Sequence, residues 1–224
     1  MKKFESNSLP IFYSLQNCPY AMRARMGLLM AKKEVMLRAI VTTNKPQEML
    51  RISPKGTVPI IVFKDESVIE ESLEIMIWAL EQNDPEDLLY KEDSGKLFKI
   101  LKLIHECDHS FRTNLSAYKY NKRYHLSEEI NLRTKCEVFI NKLELLLLEN
   151  DYFLGSKLSL ADLAILPFIR QFASVDKKWF REAGYPKLTN WLSNNMQSML
   201  FSKTMKEYPL WLDSGQEFLF SWNS

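Results

Sequence analysis

The feature that constrains the fold most is a change of hydrophobic period near residue 82. From Leu9 to about Glu81, short runs rich in Val, Ile and Phe alternate with helical stretches: LPIFYSL, PYAMRARMGLLMAKK, VMLRAIV, PQEMLRIS, VPIIVF, SVIE and SLEIMIWALEQ. Short apolar runs of this composition read as strands, while Met22, Met26, Leu29 and Met30 recur at the three-to-four spacing of a helix face. The predicted order is β-α-β-α-β-β-α. The polar segment NDPEDLLYKEDSG, residues 83–95, carries Pro and Gly and reads as a linker. Beyond it the period is helical throughout, in KLFKILKLIHECDHSF, EEINLRTKCEVFINKLELLLLEN, SLADLAILPFIRQFA and KLTNWLSNNMQSMLF. The prediction is an α/β domain over residues 1–82, a linker over 83–95 and an all-helical domain over 96–224.

Composition narrows the partners. The 30 Lys and Arg residues against 28 Asp and Glu leave a formal charge of +2 with the signs interspersed, so no general attraction to nucleic acid is expected. No stretch approaches the ~18 apolar residues of a membrane span. The start, MKKFESNSLPIFYSL, is basic but has only a short apolar run and no small-residue cleavage site, so no secretory signal is expected. Cysteines at 18, 107 and 136 are odd in number and widely spaced, which argues against a disulfide framework and for a reducing, cytoplasmic setting.

Cys18 closes the first strand segment and opens the first helix, in YSLQNCPYAMRAR. A residue just before a helix meets unpaired N–H groups and the positive end of the macrodipole, which favours a thiolate. Helix N-termini and nearby cations can bring a thiol from ~8.5 to about 3.5–7.5. Pro19 suits the first turn, where a missing N–H costs nothing, and Arg23 and Arg25 add positive charge on the same helix. The competing reading is a small buried hydrophobe, and it is the one adopted for Cys107 and Cys136, which lie inside helical segments.

Four stretches in this order, Y-S-x-x-x-C-P-Y (13–20), S-P-K-G-T-V-P (53–59), E-E-S (70–72) and S-L-A-D-L-A (159–164), resemble the glutathione transferase superfamily over nearly the whole chain. Cys-Pro-Tyr at the helix start and N-K-P at 44–46 are similar to its cysteine-type branch, omega-like or a related bacterial class. The resemblance implies a thioredoxin-like N-terminal domain that binds glutathione, followed by an all-helical C-terminal domain that supplies the second substrate's pocket. It also implies a homodimer, and it calls for no metal.

The resemblance assigns site residues as well. Cys18 would be the catalytic nucleophile, and Tyr20 would line the site beside it or simply pack. A cis bond is implied at Val58-Pro59, turning the Val58 backbone toward the cysteinyl part of glutathione as an added strand would. Glu71 would meet the γ-glutamyl ammonium, while Ser72 and the helix start would meet its carboxylate. Adjacent Glu70 could exchange roles with Glu71 by a slip of one position. Lys45 would meet the glycyl carboxylate, or simply be solvated. With thiol chemistry the expected activity is a glutathione-dependent thiol transferase and reductase, acting on a small disulfide or electrophilic substrate through a mixed disulfide. The position three after Cys18 is Ala21, so the cycle is monothiol. Two alternatives stand beside it: conjugation of electrophiles, with Tyr13 or Ser14 stabilising the glutathione thiolate, and a non-catalytic protein-binding module of the stringent-starvation type.

Outside these motifs, Ser159 and Asp162 form a capping-box signal, which is a folding signal without chemistry. Pro167 predicts a kink or interruption inside the following helix. His105 and His109 share a helix face, but no third ligand is close in sequence and no metal is expected. His105, Phe111 and Tyr118 are candidates for the border of the second-substrate pocket from their place in the first long helix.

Overall fold

The computed structural model describes residues 9–224. Residues 1–8, which carry the basic start weighed above as an export signal and open the predicted first domain, lie outside the described residues. The first eighty residues follow the predicted order: β1 (Ile11–Ser14), α1 (Pro19–Met30), β2 (Val35–Ala39), α2 (Gln47–Ile52), β3 (Ile60–Val62), β4 (Val68–Ile69) and α3 (Ser72–Gln82). β1 pairs in parallel with β2, Ile11 opposite Met36, and antiparallel with β3, Ile11 opposite Val62. β4 pairs antiparallel with β3. This mixed sheet with its helices is the thioredoxin-like α/β architecture.

α1 departs from a simple amphipathic helix. Every residue from Ala21 to Leu29 is buried, including Arg23 and Arg25, each only 1% exposed. α3 crosses it at Gly27, where an added Cβ would lie 2.9 Å from the Met76 Cα, so only glycine admits this close approach. On the other face of β1, Tyr13 packs with Ile40, Met49, Ile60 and Val62.

After a stretch without regular structure come α4 (Ser94–Glu106), α5 (Arg112–Arg123), α6 (Glu129–Glu149), α7 (Leu160–Val175), α8 (Lys177–Glu182), α9 (Pro186–Met196), α10 (Met199–Thr204) and α11 (Trp211–Ser214). Between α4 and α5 the helix widens into a π-helical turn, Cys107–Phe111, which the helical period does not signal. Contrary to expectation, α7 runs through Pro167 without interruption. Its residues from Leu160 to Ile169 are all buried, and that packing outweighs the one backbone hydrogen bond proline removes.

The end of the chain also departs from the helical prediction. Phe218–Phe220 form a short strand, β5, antiparallel to β2 with Val35 opposite Phe220, and the sheet order becomes β4-β3-β1-β2-β5. Phe220 is 1% exposed against Phe12, and β5 covers an edge of β2 that would otherwise be unpaired. Arg38 fixes the same segment by stacking over Trp211 at 4.0 Å and pairing with Glu217 at 2.9 Å, while Trp211 Nε1 donates to Glu48. Among the described residues, the compact units accordingly comprise residues 9–85 with 202–224, and residues 86–201.

The core of the helical unit is an aromatic cluster. Phe111 stacks near Phe139 and Phe172, and Tyr118 lies 6.0 Å from Phe172. Phe111 and Tyr118 are 1% and 0% exposed, so they are core residues; of the three candidates for a pocket border, His105 alone is exposed. At the start of α7 the capping box forms as expected around a fully buried Asp162. Its carboxylate accepts from Ser159 N–H, Ser159 Oγ, Phe153 N–H and Trp191 Nε1, at 2.7 to 3.2 Å. Burial pushes this carboxyl up, and those donors pull it back down.

Candidate functional site

Cys18 is the N-cap residue of α1, with extended backbone (φ −79°, ψ 124°) and Pro19 in the first turn. Its carbonyl accepts from Met22 N–H at 2.9 Å, the first bond of the helix, so the helix begins where the local sequence places it. The thiol makes no capping bond to the helix. It is half-buried and lies 3.9 Å from the Val58 carbonyl oxygen. The Val58-Pro59 peptide is cis. Cys107 and Cys136 are instead fully buried, and burial pushes the Cys136 thiol up to about 12.

The turn that leads into Val58 gathers most of the other candidates. Gly56 sits in the left-handed region at φ +61°, where a side chain would be strained, and a Cβ there would lie 3.5 Å from Lys45 Nζ. Lys45 thus reaches over this turn, half-buried. Ser53, buried at its start, donates to Glu70 at 2.5 Å. Lys55 pairs with Glu71, and that carboxylate holds the Lys55 ammonium up. Glu71 is exposed as the N-cap of α3, and Ser72 is the first helical residue, 4% exposed. Cys18, Val58, Lys45 and the two glutamates therefore all meet the 53–59 turn. Tyr20 lies half-buried in the first turn of α1, two residues after Cys18. The roles of Ser53 and Lys55 were not legible in the sequence, although both lie inside the motif S-P-K-G-T-V-P, because each is set by a partner 16 or 17 residues away.

Tyr13 and Ser14 point to opposite faces of β1, as alternation requires. The Tyr13 hydroxyl accepts from Arg38 at 2.9 Å and burial pushes it up, so this phenol is both engaged and protonated at neutral pH. Ser14 Oγ is buried with no hydrogen-bond partner. Among the described residues no group of three or more His, Cys, Asp or Glu could hold a metal ion. His105 and His109 stack ring on ring, 3.8 Å between centroids.

Comparison with known proteins bears on this arrangement. The family described as "Glutathione S-transferase, N-terminal domain" matches residues 12–87, and "Glutathione S-transferase, C-terminal domain" matches residues 131–194. The chain is 27% identical over 205 residues to glutathione S-transferase L1 of Arabidopsis thaliana, covering 88% of this chain and 82% of that protein. It is likewise 27% identical over 203 residues to glutathione S-transferase omega-1 of Mus musculus, with 88% and 82% covered. Among solved structures, glutathione transferase Omega 3C from Trametes versicolor superposes with a TM-score of 0.77 at 18% identity, covering 92% of this chain and 93% of that one. The two family matches in sequence order, together with the mixed sheet and the helical unit, establish that the chain belongs to the glutathione transferase superfamily.

Proposed function

We propose that the protein is a cysteine-type glutathione transferase that acts as a glutathione-dependent thiol transferase and reductase, with Cys18 as the nucleophile. The observation that carries this reading is the placement of the half-buried Cys18 thiol at the N-cap of α1, uncommitted to the helix and beside the Val58 carbonyl, while the other two cysteines are sealed in the helical unit. The positive end of α1 favours negative charge at that sulfur. The Cys18 thiolate attacks the glutathionyl sulfur of a mixed disulfide R–S–S–G, forming a Cys18–S–S–G bond and releasing R–S⁻, which takes a proton. A second glutathione, as thiolate, attacks the same glutathionyl sulfur, restoring the Cys18 thiolate and releasing oxidised glutathione. The sum is R–S–S–G plus one reduced glutathione giving R–SH and oxidised glutathione, with the incoming glutathione thiol as the reductant, so no second protein cysteine is needed.

Glutathione would lie along the cis Val58-Pro59 backbone, with its γ-glutamyl end at the start of α3 and its glycyl carboxylate toward Lys45. The glutathione-bound structures of relatives include a lactoylglutathione complex of glutathione S-transferase-I and a glutathione complex of Ure2p. Tyr13 is the weaker candidate for thiolate stabilisation, because its hydroxyl is already held by Arg38.

Two measurements test this reading. At pH 6 iodoacetamide alkylates Cys18 while Cys107 and Cys136 stay unmodified in peptide maps of the folded protein; equal modification of the three would remove Cys18 from the nucleophile's role. Calorimetry on Glu71→Ala shows glutathione binding weakened by about 1.5–3 kcal/mol, the range for a hydrogen bond to a charged group. Unchanged affinity in Glu71→Ala with impaired binding in Glu70→Ala would move the ammonium site by one residue.

A further inference from the structure

Arg25 is a buried charged group near Cys18 whose burial the assigned chemistry does not explain. It lies in the second turn of α1, 1% exposed. Its guanidinium donates to the Gln16 carbonyl at 2.5 Å, to Gln16 Oε1 at 3.1 Å and to the Leu15 carbonyl at 3.5 Å. The Leu15 carbonyl also accepts from Cys18 N–H at 3.3 Å. Gln16 is itself tied down, its Nε2 donating to the Met205 carbonyl at 2.7 Å. Arg25 therefore grips the loop that delivers the chain to Cys18.

The charge is as notable as the grip. All of these acceptors are neutral, and among the described residues no carboxylate pairs with Arg25. Its Nε has no partner, and with Ser14 and Gln16 it lines a cavity of about 230 Å³. A buried guanidinium without a counter-ion is expensive. Burial pulls it down to about 10, and the groups that pull it back up are first Cys18 and then Tyr208. Tyr208 is kept a neutral phenol by its own burial, and Glu207, which lines the same cavity, is exposed to solvent. What remains is Cys18, half-buried and joined to Arg25 through the Leu15 carbonyl that both of them hold.

Building on the nucleophilic reading of Cys18, we propose that Arg25 is its positioning residue, holding the Leu15 and Gln16 carbonyls that set the loop before α1 and supplying the fixed positive charge against which the Cys18 thiolate forms. In that role an arginine occupies a core position in α1 without a carboxylate partner.

The test is the pH profile of Cys18 alkylation by iodoacetamide, read by peptide mapping, in the parent and in two variants. Gln16→Glu keeps an acceptor for Arg25 and places a carboxylate on it; Arg25→Met removes the charge. Each is expected to raise the pH of half-maximal alkylation by about one unit, slowing modification at pH 6 about tenfold. A structural role alone would change melting and leave this profile in place, so either variant that folds decides the matter. Profiles that superimpose on the parent's overturn the role of Arg25. If the parent itself shows no selectivity for Cys18, the nucleophilic reading fails, and with it this one.

Discussion

Cys18→Ser is expected to lose glutathione-dependent reduction of a small mixed disulfide by at least about a thousandfold, the scale on which removal of a covalent nucleophile is felt. A serine hydroxyl in the same place cannot form the Cys18–S–S–G bond. The fold does not depend on the sulfur, because the thiol makes no capping bond and comes no nearer than 3.9 Å to the Val58 carbonyl oxygen. The variant should therefore melt within about two degrees of the parent. Conjugation of an aryl halide is expected to persist or rise, since a hydroxyl can still hydrogen-bond the thiolate of bound glutathione. A variant that keeps full disulfide reduction would shift the chemistry to conjugation, and one that loses much of its thermal stability would return Cys18 to a packing role.

Asp162→Ala is expected to be the most damaging single change to stability, at about 3–5 kcal/mol. The side chain is 1% exposed and accepts from four donors, two on Ser159 and one each on Phe153 and Trp191. Alanine leaves those donors buried and unpaired, and it removes the Asp162 half of the capping box that opens α7. The thermal midpoint should fall by roughly 10 °C. Because glutathione is assigned to residues of the other unit, variant protein that remains folded should bind it with unchanged affinity by calorimetry. A midpoint within two degrees of the parent would mean that water satisfies the donors.

These two residues were legible in the sequence for the same reason: each opens a helix, and helix starts are written locally. Cys18 is followed by proline, Ser159 by an acid three residues on, and the seven elements up to Gln82 emerge in order from short apolar runs alternating with helical stretches. What local pattern does not encode is a partner distant in the chain. β5 is three residues long and becomes a strand because β2, some 180 residues earlier, offers an open edge. Arg23 and Arg25 read as added positive charge on the first helix, and their burial within it is not written locally. Phe111 and Tyr118 share the first long helical stretch with exposed His105, but their rings turn into a cluster built by α6 and α7. Within the site, the motif around Val58-Pro59 was evident, whereas the pairing of Glu70 with Ser53 and of Glu71 with Lys55 depends on how that turn meets the start of α3. That pairing also separates two glutamates that the sequence leaves interchangeable. Glu70 braces the turn, and Glu71 stands exposed at the helix start, where a ligand ammonium could replace Lys55.

The central claim is that Cys18 carries glutathione as a covalent intermediate, and the most direct measurement is intact mass followed by peptide mapping after incubation with oxidised glutathione. The account predicts one glutathionyl group, attached at Cys18 and absent from Cys107 and Cys136, and its complete removal by reduced glutathione. Protein that takes up no glutathionyl group, or takes it up at a cysteine other than Cys18, would contradict it.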